Sequence, residues 1–107
     1  MTLDEAVAVW AAQHSECSDS ETVRDKCHEY SDAFVEFLGF HYIYAETVQG
    51  FEMSGNVILQ GHVANLVGSD VYDWTARQFD PSSPVPTVTP LPEWRSKWQL
   101  LPEECQP

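Results

Sequence analysis

Three residues of the chain have types suited to nucleophilic acyl transfer: Cys27, His62 and Asp73. A thiol reacts slowly at neutral pH because it is mostly protonated, and a helix N-terminus or a neighbouring imidazolium favours the reactive thiolate. A histidine then serves as base and acid, while a carboxylate fixes its tautomer and orientation. The sequence therefore predicts a Cys–His–Asp triad with Cys27 as the nucleophile.

Each of these residues also has a purely structural explanation. Cys27 lies on an apolar helical stripe, and a buried cysteine often acts only as a small hydrophobic residue. A single strand histidine such as His62 is more often structural than catalytic, and Asp73 by itself could cap a turn. Catalysis becomes the better interpretation only when the three residues are considered together.

The thiol is expected near the start of a helix. Ser18 with Glu21, and Thr22 with Asp25, have the spacing of a capping box or a close variant, so this helix should begin within residues 18–26. Gly39 is expected to end it. An earlier helix is predicted over residues 3–13. The apolar stripe of the Cys27 helix consists of Cys27, Tyr30, Phe34, Phe37 and Leu38.

His62 and Asp73 are expected on neighbouring antiparallel strands. Strands are predicted over residues 40–48, 57–67 and 71–79, with Gly50 and Gly55 in a loop. If Gly68 and Ser69 form a two-residue turn, the carboxylate of Asp73 lies on the His62 face, one diagonal away. A three-residue turn would point it to the opposite face.

The end of the chain is rich in proline and tryptophan. Five prolines between Asp80 and Pro92 exclude a central strand or a helix interior, so residues 81–92 should wrap over the surface. A short helix after Pro92 should bury Trp94 or Trp98. The predicted class is α+β in one domain, with helices over 1–39, a small antiparallel sheet over 40–80 and the wrap over 81–107.

The segments KCHEYSDAFVEFLGF, GHVANLV and VYDWTARQF resemble the papain-like fold superfamily. The nearest likeness is to small bacterial and phage papain-fold toxin domains, with transglutaminase-like and NlpC-like proteins as broader relatives. The resemblance covers about half of the chain. It implies a cysteine hydrolase or acyltransferase that acts on an amide or peptide-type bond, with Cys27 as nucleophile, His62 as general base and Asp73 as orienting acid. It implies no cofactor.

The resemblance also suggests supporting residues. Trp74, Asn65 and Gln78 belong to the matching motif and are interpreted as lining the substrate or supporting the triad, with Trp74 as a shield against water. Papain itself has a glutamine shortly before its cysteine that helps to form the oxyanion hole. Thr22 lies in that region here, so the backbone N–H of Cys27 with Thr22 is one candidate for the hole.

Charge gives an alternative of a different class. The chain has 17 acidic and 5 basic residues and a net charge of −12. Binding to a phosphate backbone requires clustered Lys and Arg, so nucleic acid is not the expected partner. The expected partner is a protein or peptide, either as substrate or as a host protein. In the latter case the chain would be a non-catalytic, acidic inhibitor, such as a phage-encoded one, that blocks a basic site.

The remaining composition bears on compartment and metal binding. Three cysteines, Cys17, Cys27 and Cys105, form no even framework and indicate a reducing environment. Zinc ligands at paired spacings are not found, so no metal site is predicted. No apolar run approaches the roughly 18 residues of a membrane span, and the N-terminus is acidic. A cytoplasmic location is therefore expected.

Overall fold

The computed structural model describes residues 1–101, with helices on both faces of a four-stranded antiparallel sheet. Cys105 lies outside the described residues. The α+β class is confirmed. The elements in chain order are α1 (Leu3–Gln13), a 3-10 helix (Ser15–Ser18), α2 (Cys27–Phe40), β1 (Glu46–Ser54), β2 (Val57–Val67), β3 (Asp70–Asp73), a second 3-10 helix (Ala76–Gln78), β4 (Thr87–Pro90) and α3 (Leu91–Lys97).

Helix α1 has the predicted bounds because its start is locally encoded. Thr2 caps it, and Glu5 completes the reciprocal capping box. Ala6 and Trp10 are its buried residues and dock it on the core.

Helix α2 begins later than predicted, at Cys27 rather than within residues 18–26. The carboxylate of Asp19 accepts the backbone N–H groups of Glu21 and Thr22 at 3.0 and 3.4 Å, so these donors are satisfied in a turn instead of a helix. Asp25 then adopts a left-handed conformation, with φ of 60°, just before the helix.

The predicted stop at Gly39 is wrong by a short distance, since α2 continues to Phe40. Tyr42, with φ of 60°, takes the left-handed position that was expected of the glycine. The N–H of Ile43 donates to the carbonyl of Leu38 at 3.0 Å, and that of Tyr42 to Gly39 at 3.1 Å. This pattern is a Schellman motif, and the packing of Leu38 and Ile43 in the same core favours it.

Strand β1 lies further along the chain than predicted. It spans Glu46–Ser54 rather than residues 40–48, so Gly50 is inside the strand and not in a loop. The turn of the hairpin is at Gly55, with φ of 60°. Gly50 serves packing: a Cβ there would lie 2.7 Å from the carbonyl oxygen of Trp98, which leaves no room for a side chain.

The turn between β2 and β3 has two residues, as the first of the two alternatives above requires. Val67 pairs with Asp70 across Gly68 and Ser69, and Gly68 has φ of 64°, the conformation that glycine favours at the first position of such a turn. The prediction of a strand through residue 79 is wrong beyond Asp73. There the chain turns into the 3-10 helix Ala76–Gln78.

The C-terminal segment completes the sheet. The order is β1-β2-β3-β4, so the proline-containing β4 forms an edge, and the sheet extends beyond the predicted boundary at residue 80. Helix α3 carries Pro92 in its first turn. Trp94 and Trp98 are each only 5% exposed, which confirms their predicted burial. Within residues 1–101, no helix is both long and apolar enough to span a membrane.

Candidate active site

Cys27 is the first residue of α2 and is half-buried. Burial alone raises the pKa of its thiol. The opposing effects are larger in sum: hydrogen bonding with His62 and with the backbone of Val63 and His28, together with the charge on His62, holds the pKa below its ordinary value. The environment of Cys27 therefore favours the thiolate.

His62 lies on β2 and is almost completely buried. Its Nε2 is 2.7 Å from Oδ2 of Asp73. Burial lowers the pKa of the ring, but hydrogen bonding and attraction to Asp73 and Cys27 raise it to about 9. The imidazole is therefore positively charged at neutral pH, between a carboxylate and a thiol.

The contact between the His62 ring and the thiol of Cys27 is loose. Nδ1 of His62 is buried and has no regular hydrogen bond within residues 1–101. The thiol is nevertheless close enough to affect the pKa of the ring, and the ring affects the pKa of the thiol. A long or poorly aligned hydrogen bond is common between catalytic groups before a substrate tightens the site.

Asp73 is fixed by the turn that follows it. Its Oδ1 accepts the backbone N–H of Thr75 at 3.0 Å, which leaves Oδ2 for His62. Thr75 is itself buried. Thr75 was not among the residues predicted to support the site. The signal was present, because an aspartate often accepts the backbone N–H of the residue two positions later in a turn.

The end of β3 explains how Cys27 reaches His62. Among the described residues, the pairing of β3 with β2 ends at Asn65 and Tyr72. At Val63, β2 therefore has β1 on one side and no strand on the other. Helix α2 occupies this gap: Ser31 donates its hydroxyl to the carbonyl of Val63 at 3.4 Å. The N-terminus of α2 thus meets the strand edge where the His62 side chain begins.

Aromatic rings cover the other side of His62. The ring centroids of Phe79 and Trp98 are each 4.9 Å from that of His62, and Trp94 is 6.4 Å away. Gly50 is the direct cross-strand partner of His62, and its missing side chain provides the room for Trp98. The spacing of these tryptophans predicted that they dock on the core but not that they surround the histidine.

Trp74 does not have the predicted role as a shield of the triad. It lies in the core beneath α1 and α2, with its ring 4.6 Å from that of Trp10 and 5.1 Å from that of Phe34. Neighbouring residues at the end of a strand point to opposite faces, so Trp74 points away from the face that carries Asp73.

The other supporting residues are distributed around the site. Asn65 is fully buried and donates its amide to the carbonyl of Ser31 at 2.9 Å, so it anchors α2 on β2 and does not line a substrate surface. Thr22 is exposed, and no hydrogen bond joins it to Cys27 within residues 1–101. Gln78 contacts the loop before Cys27 and the turn after Asp73.

A cavity of about 270 Å³ lies on the α3 face of the sheet. Its walls include Asp73, Phe79, Trp94 and Trp98 but neither Cys27 nor His62. This cavity therefore does not contain the nucleophile.

Cys17 provides an internal contrast to Cys27. It is fully buried, and burial with the nearby charge of Glu16 raises the pKa of its thiol to about 12. In the described part of the chain, no group of three or more His, Cys, Asp and Glu side chains is arranged to hold a metal ion.

Comparisons of the chain with models of protein families, with curated proteins and with solved structures found no match.

Proposed function

We propose that this protein is a cysteine-dependent hydrolase or acyltransferase that acts on an amide or peptide-type bond through a thioester on Cys27. One observation carries the proposal: the buried His62 ring is held by Asp73 at 2.7 Å and lies close enough to the half-buried thiol of Cys27 to lower its pKa. Structural cysteines such as Cys17 have the opposite pKa shift.

The first chemical step uses the ion pair of thiolate and imidazolium. This pair is populated at pH values between the lowered pKa of Cys27 and the pKa of about 9 of His62. The thiolate sulfur attacks the carbonyl carbon of the substrate. As the C–N bond breaks, the proton of His62 passes to the leaving nitrogen, which gives a free amine, a thioester and a neutral imidazole.

The second step regenerates the thiolate of Cys27 and the imidazolium of His62. Neutral His62 accepts a proton from water, or from an acceptor amine, as that nucleophile attacks the thioester carbon. The C–S bond breaks, and the products are a carboxylic acid or a new amide together with the original ion pair. Asp73 keeps the ring oriented in both steps and stabilises its charged form.

The N-terminus of α2 supplies a donor for the developing oxyanion. The first N–H groups of a helix have no intrahelical acceptor, and Cys27 is the first residue of α2. Its own N–H is therefore the proposed oxyanion donor, assisted by the positive end of the helix dipole.

Alkylation by iodoacetamide tests the proposal without a known substrate. We expect Cys27 to be modified rapidly at pH 7, because its thiolate is favoured, and Cys17 to be modified only after unfolding. His62→Ala should slow the modification of Cys27 substantially at pH 7, because the loss of the imidazolium raises the pKa of the thiol and so lowers the thiolate fraction. Peptide mass spectrometry distinguishes the cysteines.

Acylation by p-nitrophenyl acetate tests the chemistry itself. We expect an acetyl group on Cys27 that turns over in the wild type and accumulates or fails to form in His62→Ala. Asp73→Asn should retain partial turnover. If Cys27 reacts like an ordinary thiol and His62→Ala changes nothing, the enzyme proposal is wrong, and the acidic binding protein becomes the better candidate.

A further inference from the structure

Gln78 uses both ends of its amide to connect the two halves of the candidate site. Its Oε1 accepts the backbone N–H of Asp25 at 3.2 Å, and its Nε2 donates to Oγ1 of Thr75 at 2.9 Å. Asp25 lies two residues before Cys27. Thr75 donates its own N–H to the carboxylate of Asp73.

The amide of Gln78 bonds Asp25 at a position where the backbone of Asp25 has an unfavourable conformation. Asp25 has φ of 60°, which residues other than glycine adopt at an energetic cost. Such a conformation persists when surrounding contacts hold it, and the amide of Gln78 is a long-range contact that does so. Since the chain enters α2 directly after this residue, the position of Cys27 depends on it.

We infer that Gln78 is a positioning residue, which sets the separation of the Cys27 thiol from the His62 ring. On the thiol side it fixes Asp25, and on the acid side it fixes the hydroxyl of Thr75. This inference rests on the proposed function. Gln78 itself contacts neither the thiol nor the imidazole through any hydrogen bond found within residues 1–101.

Only glutamine combines the required groups at this length. Its amide presents one acceptor to Asp25 and one donor to Thr75. Ionised glutamate keeps the acceptor and loses the donor, whereas alanine loses both. Gln78→Glu should therefore have an effect between those of the wild type and Gln78→Ala.

Arg77 provides a matched control on the same short helix. Its guanidinium donates to the carbonyl groups of Ser83 and Ser18 at 2.8 and 3.0 Å and so ties the fold together away from the thiol. Arg77→Ala should lower the melting temperature and leave the pH profile of Cys27 unchanged. A merely structural glutamine would behave in the same way.

The experiment measures the rate of iodoacetamide modification of Cys27 against pH in the full chain, together with the melting temperature. In Gln78→Ala we expect the profile to shift to higher pH and the rate at pH 7 to fall several-fold, because a thiol held less closely to the imidazolium of His62 loses part of the interaction that lowers its pKa. Thr75→Val should shift the profile in the same direction, and Thr75→Ser should restore it.

The outcomes separate the inference from the proposed function. If the wild-type thiol has a lowered pKa and Gln78→Ala keeps the wild-type profile, the inference is wrong and the proposed function stands. If the wild-type thiol is ordinary, the proposed function fails first. Should Gln78→Ala not fold, Gln78→Glu decides the question by the same readout, and an unchanged profile overturns the inference. The Thr75 variants support it only together with Gln78→Glu, because the Thr75 hydroxyl also lies 3.5 Å from the carboxylate of Asp73.

Discussion

Both faces of the sheet carry clustered aromatic side chains. On one face the cluster forms an apolar core, and on the other it surrounds a histidine. Beneath α1 and α2, Trp10, Phe34 and Trp74 pack against one another in an apolar core. On the α3 face, Trp98 and its neighbours pack around the charged ring of His62. The same type of residue thus fills a core on one side and excludes water from an ion pair on the other.

The two described cysteines, Cys17 and Cys27, have opposite pKa shifts because their surroundings differ. Burial raises the pKa of both thiols, and at Cys17 nothing opposes it. At Cys27, the imidazolium and backbone donors reverse the direction. The groups that face a thiol, and not its burial alone, therefore decide the direction of its pKa shift.

The largest effect expected is the loss of folding stability when one tryptophan is removed from either aromatic cluster. Trp10→Ala and Trp98→Ala should each lower the free energy of unfolding by about 3–5 kcal/mol, because each leaves a large cavity. Only Trp98→Ala should also move the pKa of Cys27 back up, since water admitted around His62 weakens the field that favours the thiolate. Urea unfolding and alkylation at several pH values measure the two effects. An altered alkylation profile in Trp10→Ala would contradict the comparison.

A smaller effect is expected at Gly50. Gly50→Ala should cost roughly 1–3 kcal/mol of stability, because its methyl group would collide with the backbone of Trp98. Gly61→Ala is the matched control, since the nearest atom to its added Cβ is 3.5 Å away, on the ring of Phe51. Thermal unfolding of both variants measures the difference. Equal stabilities would show that the contact with Trp98 is not needed to close the α3 face.

The smallest effect concerns the pH dependence of stability in a Cys27→Ala background, where no thiolate contributes. Asp73 raises the pKa of His62 above its ordinary value of 6.5 even without the thiol, so the stabilising effect is complete below that pH and is lost as the pH rises through the raised pKa. In this background that pKa lies below about 9, because the contribution of Cys27 is missing. The free energy of unfolding should fall across this window by an amount on the order of 1 kcal/mol. Adding Asp73→Asn should flatten the dependence, and an unchanged slope would exclude the His62–Asp73 pair as its source.

Local sequence signals determined several elements of this protein. The capping box of Thr2 and Glu5 fixes the start of α1. The glycine at position 68 predicted a tight turn between β2 and β3, and the structure selects the two-residue form from the two turn lengths that the sequence left open. Pro92 and the tryptophans that follow it predicted a short helix and the burial of Trp94 and Trp98. These signals succeed because the interactions behind them lie within a few residues of one another.

Only the tertiary structure decided how the candidate site is enclosed. The room that Gly50 leaves for Trp98 and the bridge from Gln78 to Asp25 both depend on residues far apart in the chain. Residue types and chain order suffice to predict Cys27, His62 and Asp73 as a candidate triad. They cannot specify which rings cover the histidine, because contacts across a sheet are set by the packing of whole elements and not by local periodicity.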